Sequence, residues 1–327
     1  MPRVALFTTC LAEALAPRAL KATVLVLEHV GVTVELPAAQ TCCGQPMLSN
    51  GLPADAAALA RRMCEVFAPY DAVVTPSGSC CSVVREKYEA LFAHGSADHK
   101  AVVALAGKTF ELIEFLETQL KVDPTKLTPR AASGASAQRL TCHDACHLRG
   151  IHRHGATAPF LTRACCGDDV RELPDMAQCC GFGGMFSTQF PEVSTALGEE
   201  KLAHVASTGA ATLVASDTGC AAHLAGLAHR KGVALRVISP AEALAESLGL
   251  LERDDGAPNG ANHGAPNGGN HAAPNGANHG APNGANHGAP NGGNHAAPNG
   301  ANHGAPNGAN HGAPNGGNHG APNGGKS

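Results

Sequence analysis

Short apolar runs alternate with longer amphipathic runs along the first 250 residues of the chain. Residues 4–8 form an apolar run typical of a buried strand, and residues 13–30 follow with helical spacing up to Gly31, which suits a helix C-cap. The same alternation predicts further strands at 32–36, 71–75, 139–142, 170–173, 211–216 and 233–237, and further helices at 53–67, 83–93, 110–120, 156–164, 194–207 and 241–250. Strands that alternate with helices indicate an α/β fold with mostly parallel sheets.

This pattern stops near Asp255. Residues 256–327 are nine copies of a Gly-Ala-Pro-Asn-Gly-Ala-Asn-His octad with small variations. The octads contain no large apolar side chain whose burial could offset the entropy cost of ordering the chain. We therefore expect a disordered, dispensable tail at 256–327.

The folded part divides at residues 123–138, a segment rich in Pro, Ser, Gly and Ala that is typical of a linker. This composition predicts a first domain at 1–122 and a second domain at 139–255.

The two predicted domains repeat one cysteine pattern. Glu35-Leu36-Pro37, four residues and Cys42-Cys43-Gly44 match Glu172-Leu173-Pro174, four residues and Cys179-Cys180-Gly181. Single cysteines repeat at similar distances: Cys10 and Cys146 are 136 residues apart, Cys43 and Cys180 are 137 apart, and Cys80 and Cys220 are 140 apart. Nearly constant offsets indicate an internal duplication around a metal centre.

Composition narrows the class of protein. The chain before the tail has 22 basic and 27 acidic residues and no basic cluster with interleaved aromatic residues, which argues against a nucleic-acid surface. No signal peptide and no run of about eighteen apolar residues is present, so we expect a cytoplasmic protein without a membrane span. Because thiols stay reduced in that compartment, the 13 cysteines favour metal or redox chemistry over disulfides.

Each cysteine group follows a predicted strand. Since the carboxyl ends of parallel strands meet at one edge of a sheet, each half should gather four thiols there. The first set is Cys10, Cys42, Cys43 and Cys80, and the second set is Cys146, Cys179, Cys180 and Cys220.

Four thiolates suit either zinc or an iron–sulfur cluster. Zinc sites usually use compact Cys-x2-4-Cys knuckles, whereas these loops are more than thirty residues apart, and two adjacent thiolates bind different irons of one cluster more easily than one zinc ion. A cluster is therefore favoured, with zinc left open. His143, His147 and His223 are candidate hydrogen-bond donors or substitute ligands in the second half. The backbone amides of Gly181, Gly183 and Gly184 are candidate hydrogen-bond donors to sulfide.

The complete set of motifs resembles the duplicated CCG, or cysteine-rich, domain family. The motifs are Cys10, Thr41-Cys42-Cys43-Gly44-Gln45-Pro46, Thr75-Pro76-Ser77-Gly78-Ser79-Cys80, His143-Asp144-Ala145-Cys146-His147, Cys179-Cys180-Gly181-Phe182-Gly183-Gly184 and Asp217-Thr218-Gly219-Cys220. That family includes the heterodisulfide reductase B subunit and the glycolate oxidase iron–sulfur subunit. The similarity is greatest to its lactate utilization A subfamily and covers about residues 3 to 250.

The resemblance implies a function. It implies an iron–sulfur component of a three-protein system that oxidises L-lactate to pyruvate, with a ferredoxin-type iron–sulfur protein and a third protein as partners. The chain itself has neither a ferredoxin cysteine run nor a Gly-x-Gly-x-x-Gly dinucleotide fingerprint. Two other functions remain open: a heterodisulfide or thiol reductase that uses the second cluster, and a zinc-stabilised scaffold subunit.

The chain departs from the family pattern where heterodisulfide reductase B-type domains have a fifth thiolate. Val83 and His223 occupy the corresponding positions, so an ordinary 4Fe-4S cluster is expected in each domain, with zinc possible in the first and His223 a possible fifth ligand or a surface histidine. His143 and Asp144 are candidates for substrate or proton handling, although a loop-fixing role fits them equally well. Arg149 is a candidate for binding a carboxylate or for covering the surface.

The remaining cysteines are expected to have structural roles. Cys64 and Cys142 are interpreted as buried apolar residues. Cys165-Cys166-Gly167 lacks the preceding Glu-Leu-Pro and a counterpart in the first half, so we interpret it as unrelated to the two centres.

Overall fold

A computed structural model describes residues 3–127, 139–151, 153, 155–164 and 169–254. The predictions for most of the linker, for Cys165-Cys166-Gly167 and for the tail lie outside these residues. All of the described residues belong to one compact unit of the chain.

The first half contains a four-stranded parallel sheet. Its strands are β1 (Val4–Leu6), β2 (Val34–Glu35), β3 (Ala72–Thr75) and β4 (Thr109–Glu111). They lie in the order β2-β1-β3-β4, with Val4 opposite Val34 on one side and opposite Ala72 on the other. The strands β1 and β3 are buried along their whole length because helices cover the sheet.

The second half repeats this arrangement. Its strands are β5 (Arg139–His143), β6 (Asp169–Arg171), β7 (Thr212–Ala215) and β8 (Arg236–Ile238), in the order β6-β5-β7-β8 and again all parallel. The predicted α/β class with two repeated, parallel-stranded halves is confirmed.

Helices connect successive strands. The first half contains α1 (Cys10–Leu15), α2 (Pro17–His29), α3 (Gln45–Ser49), α4 (Pro53–Phe67), α5 (Gly78–Ser82), α6 (Ala97–Gly107) and α7 (Leu112–Glu114). The second half contains α8 (Thr157–Ala164), α9 (Phe186–Gln189), α10 (Pro191–Ser207), α11 (Thr218–Arg230) and α12 (Pro240–Ser247). Short π-helical turns extend α5 over Val83–Lys87 and α7 over Phe115–Gln119. None of the described helices combines the length and apolar character that crossing a bilayer requires.

One of the apolar clusters spans the two halves. Val4 and Leu27 of the first half belong to the same buried cluster as Leu140 and Leu244 of the second. At the edge of this cluster α12 packs on α2, where Arg18 forms an ion pair of 2.8 Å with Glu246. The halves are therefore held together by apolar burial as well as by polar contacts.

Three predicted helices of the first half differ in bounds or type from those of the structure. The helix predicted at 13–30 is divided into α1 and α2, because Pro17 cannot donate a backbone hydrogen bond inside a helix. The helix predicted at 110–120 begins as strand β4, whose three residues are too few to show an alternating pattern. The helix predicted at 83–93 is the π-helical turn followed by a 3₁₀ turn at Glu89–Leu91, and α6 was not predicted.

Candidate metal centres

The first set of four thiols gathers at the carboxyl ends of β1, β2 and β3. Cys10 begins α1, Cys42 and Cys43 lie in the loop after β2, and Cys80 lies in α5. The sulfur atoms of Cys10 and Cys42 are 3.6 Å apart, and those of Cys43 and Cys80 are 3.4 Å apart. These separations exceed the roughly 2.05 Å of a disulfide bond, and all four are free thiols.

Local backbone geometry fixes the first dithiol. Gly44 directly follows the dithiol and is the N-cap residue of α3; its φ of 85° is left-handed, a conformation that favours glycine. This turn brings the Gly44 N–H within 3.4 Å of the Cys42 sulfur, to which it donates. On the opposite side the buried Tyr88 hydroxyl donates to the Cys43 carbonyl at 2.8 Å, so both ends of the dithiol are held.

The second set gathers in the same way at the ends of β5, β6 and β7. Cys146 begins a 3₁₀ turn at Cys146–Arg149, Cys179 and Cys180 follow β6, and Cys220 lies in the first turn of α11. The Cys180 and Cys220 sulfurs are 3.1 Å apart, and Cys146 lies close enough to Cys179 for each thiol to shift the pKa of the other. The residues are again free thiols.

Two backbone amides point at the second dithiol. Gly181 N–H donates to the Cys179 sulfur at 3.4 Å, and Phe182 N–H donates to the Cys180 sulfur at 3.5 Å. Gly181 has φ 92°, and an added Cβ there would lie 2.3 Å from the carbonyl oxygen of Ser194 in α10. Only glycine therefore allows the dithiol loop to approach α10 this closely.

Each set contains one sulfur that is preferentially ionised. The pKa of Cys42 lies well below its usual range because the thiols of Cys10 and then Cys43 donate to it, whereas the pKa of Cys10 is raised. At the repeated position the pKa of Cys179 is lowered by Cys146 and Cys180, and that of Cys146 is raised. Equivalent residues are thus the preferred thiolates of both sets.

A histidine joins the second set. Ligand atoms of His143, Cys180 and Cys220 lie within 4.8 Å of one another, and all three residues are buried. His223 is not in this group: its Nε2 lies beside Gly198 of α10, and its ring centroid is 6.2 Å from that of Phe182. Burial lowers the pKa of His223, and it does not belong to the group of His143.

Asp144 and Arg149 hold loops beside the second set. The buried Asp144 carboxylate accepts hydrogen bonds from Gly155 N–H at 2.7 Å and Thr157 N–H at 3.4 Å, which fixes the start of α8. Arg149 donates to the carbonyl of Ala177, in the loop that leads to Cys179. For Asp144 these contacts are of the kind that the loop-fixing alternative predicts.

The two thiol sets face each other across the boundary between the halves. The helix that carries Cys80 packs on the turn that carries Cys146, and the helix that carries Cys10 packs on the helix that carries Cys220. The side chain of Gln45, beside the first dithiol, is 3.3 Å from the His147 ring nitrogen.

Asp217 ties these two edges together. Its carboxylate accepts hydrogen bonds from the Ser77 hydroxyl at 2.8 Å, from the Ser79 N–H at 3.1 Å and from the Ser79 hydroxyl at 2.5 Å. The same side chain caps its own helix by accepting from Gly219 N–H at 3.0 Å. One buried carboxylate therefore anchors the helix of Cys80 and the helix of Cys220. Its role was not predicted from sequence.

The donor sets suit a bound metal or metal cluster. Each set offers four sulfurs from three separate loops, with backbone N–H groups already directed at sulfur, as in sites that tune a cluster through hydrogen bonds. Soft thiolate donors of this kind select zinc or iron–sulfur clusters rather than magnesium or calcium.

These features define the class of protein. The cysteine-rich (CCG) domain matches residues 4–85 and again residues 140–225, the segments that carry the two thiol sets. The chain belongs to the CCG cysteine-rich domain family, as the sequence predicted.

Curated relatives narrow the comparison further. The chain is 38% identical over 242 residues to Lactate utilization protein A of Shouchella clausii, covering 74% of this chain and 98% of the relative. It is 34% identical over 247 residues to Lactate utilization protein A 2 of Bacillus cereus strain 03BB102, covering 75% and 99%. It is 36% identical over 242 residues to Lactate utilization protein A of Halalkalibacterium halodurans, covering 74% and 96%.

Proposed function

We propose that the chain is an iron–sulfur electron-transfer component of a multi-protein system that oxidises L-lactate to pyruvate. The observation that carries this proposal is a pair of four-thiol sets that face each other, in a chain that matches relatives named for lactate utilization over nearly their whole length.

Each thiol set would hold one 4Fe-4S cluster. The ligands would be Cys10, Cys42, Cys43 and Cys80 in the first centre, and Cys146, Cys179, Cys180 and Cys220 in the second. A cluster supplies one-electron chemistry when bound, and its potential depends on hydrogen bonds to sulfur and on solvent exposure. The Gly44, Gly181 and Phe182 amides would provide such hydrogen bonds. The alternative is zinc in the first centre, and metal quantification distinguishes it from an iron–sulfur cluster.

The contacts of Asp217 support electron relay between the centres. Cys80 follows Ser79 directly, Ser79 donates to Asp217, and Cys220 lies three residues beyond Asp217. The two ligand-bearing helices thus share one hydrogen-bonded anchor, which keeps the centres at a fixed separation. This rigidity suits electron transfer because little reorganisation of the chain accompanies it.

Lactate oxidation releases two electrons and two protons, so this function needs partners. A ferredoxin-type iron–sulfur protein and a third protein of the system would supply the remaining electron path. His143, which is buried beside Cys180 and Cys220, would handle a proton at the second centre. For Asp144, the hydrogen bonds to the start of α8 favour positioning over proton transfer.

Anaerobic purification of the full chain with quantification of iron, sulfide and zinc tests the cofactor. We expect about eight irons and eight sulfides per chain, and zinc without sulfide would instead support the scaffold function.

Genetic complementation tests the pathway. Deletion should abolish growth on L-lactate, and the intact gene should restore it. Cys180→Ser should fail to restore growth because it removes a proposed ligand, whereas Cys64→Ser, which changes a half-buried cysteine outside both sets, should succeed. Growth on lactate that survives deletion would refute the lactate assignment and leave the thiol reductase function to be tested with disulfide substrates.

A further inference from the structure

The internal duplication allows the two centres to be compared position by position. Helices α4 and α10 follow the two dithiols, and each begins at a proline, Pro53 in the first half and Pro191 in the second. Ten residues further on, Met63 occupies the first helix and Lys201 the second. Both side chains are almost completely buried, with 1% of Met63 and 0% of Lys201 exposed. A buried apolar residue in one half is therefore a buried ammonium in the other.

The surroundings of Lys201 point to the second dithiol. Its Nζ donates to the carbonyl of Asp175 at 2.6 Å, in the loop that leads to Cys179 and Cys180. Burying an ammonium costs several kcal/mol unless anionic or polar groups offset the loss of hydration. Burial lowers the pKa of Lys201, while Asp175 and the thiols of Cys180 and Cys179 raise it. The same Asp175 carbonyl also accepts from the Gln178 N–H at 2.9 Å, and Gln178 directly precedes Cys179, so the Lys201 ammonium lies against the loop that carries the second dithiol.

At two further positions the first half has an apolar or acidic residue and the second half has a basic one. Three residues before the first cysteine of each set stand Phe7 and His143, and three residues after it stand Glu13 and Arg149. Phe7 lies in an apolar cluster of the first half, whereas His143 lies within 4.8 Å of the Cys180 and Cys220 ligand atoms. Arg149 lowers the pKa of Cys146. Arg149 is exposed, so water and salt screen its charge more than that of Lys201.

We propose that Lys201, assisted by the charge of Arg149 and by the polar ring of His143, makes the second centre the electron acceptor of the pair. A nearby positive charge stabilises the reduced form of a centre because reduction adds one negative charge. One electron leaves the first centre and the same electron enters the second, while a one-electron donor such as a ferredoxin-type iron–sulfur protein refills the first. This inference rests on the proposed function, since it requires redox-active centres.

The test is a potentiometric titration of the anaerobically loaded full chain, followed by electron paramagnetic resonance. Each centre is measured alone, in Cys43→Ala/Cys80→Ala for the second centre and in Cys180→Ala/Cys220→Ala for the first. Lys201→Met, which installs the residue of the first half, should make reduction of the second centre at least tenfold less favourable, a shift of about 59 mV for one electron. Lys201→Arg should retain most of the original midpoint, and the first centre should not change.

Lys108→Met is the matched control. Lys108 also donates to backbone carbonyls, those of Phe67 at 2.9 Å and Tyr70 at 2.6 Å, but it lies in the first half away from the second dithiol. This substitution should lower stability and leave the second midpoint unchanged. If Lys201→Met does not load, Arg149→Glu is measured instead, because it replaces an exposed positive charge by the acidic residue that the first half has at this position. The second centre should then be harder to reduce, and an unchanged midpoint would overturn the inference.

The outcomes separate the two proposals. Zinc without sulfide in the unmodified chain overturns the proposed function and this inference together. Loaded clusters with the second midpoint unchanged in Lys201→Met, or a second centre that is harder to reduce than the first in the unmodified chain, overturn this inference alone.

Discussion

Asp217 offers the sharpest test of how the two halves cooperate, because it lies in the second half but anchors the cysteine helix of the first. Asp217→Ala removes three hydrogen bonds to Ser77 and Ser79 and the cap on Gly219. At about 1 kcal/mol for each bond and about 1 kcal/mol for the cap, unfolding should become easier by about 4 kcal/mol. The helix carrying Cys80 should then be held less tightly, and each 1.4 kcal/mol lost from the bound geometry is about a tenfold loss in metal affinity.

The assay for this prediction is residue-resolved alkylation of the loaded protein, read by mass spectrometry. In the unmodified chain both thiol sets should be protected, and in Asp217→Ala both should become reactive, including Cys43 and Cys80 of the other half. Ser239→Ala is the control, because Ser239 caps α12 through a 3.2 Å hydrogen bond from Glu242 N–H. It should cost about 1 kcal/mol and leave both sets protected. Loss of protection confined to the second set would show that Asp217 does not couple the centres.

Three further predictions follow from burial, ionisation and backbone geometry. Burial raises the pKa of Glu111 to about 8, so the folded state keeps a proton that the unfolded state loses above about pH 4.3. The free energy of unfolding should therefore fall by up to about 1.4 kcal/mol per pH unit between roughly pH 5 and 8. Chemical denaturation of Glu111→Gln should show a weaker dependence of this free energy on pH. In metal-free protein at pH 6, iodoacetamide should alkylate Cys179, whose pKa is lowered by Cys146, before Cys64, whose pKa burial raises to about 11; equal rates would contradict the proposed ionisation. Gly181→Ala should prevent folding or metal loading because the new methyl group would lie 2.3 Å from a backbone oxygen. Gly184→Ala has nothing within 4 Å of the new methyl group and should cost only about 1–2 kcal/mol, the strain of a left-handed backbone. Similar losses of thermal stability in the two variants would refute the steric argument.

The sequence was sufficient to predict the class of fold and the gathering of the cysteines. Local patterns determine both: β3 and α4 occupy almost the predicted ranges, and a cysteine that follows a parallel strand must lie at one edge of the sheet. The repeated Glu-Leu-Pro and Cys-Cys-Gly segments then fix which loops correspond. Strand β4 was missed because three residues carry too little periodicity, and its position depends on pairing with β3 rather than on its own composition.

Contacts between the halves could not be predicted in the same way. The carboxylate of Asp217 and the hydroxyls of Ser77 and Ser79 are separated by about 140 residues, and no local pattern brings them together. The position of His223 could not be predicted either: the sequence left it open as a possible ligand or a surface residue, and helix α11 places its ring beside Gly198 and Phe182. The angular position of a residue around the helix axis determines which neighbours its side chain contacts. A shift of one residue in the predicted start of the helix changes this angle by about 100°.

The duplication makes the differences between the halves more informative than their similarities. The four thiols, the left-handed glycine after each dithiol and the sheet order are what either half needs to hold a metal group, so they recur. A buried lysine is not needed for folding, since Met63 fills the same position in the first half without the cost of burying a charge. Retaining Lys201 at that cost is understandable if its charge acts on the second centre. The same reasoning applies to His143 in place of Phe7, and both changes assign the acceptor role to the second set of thiols.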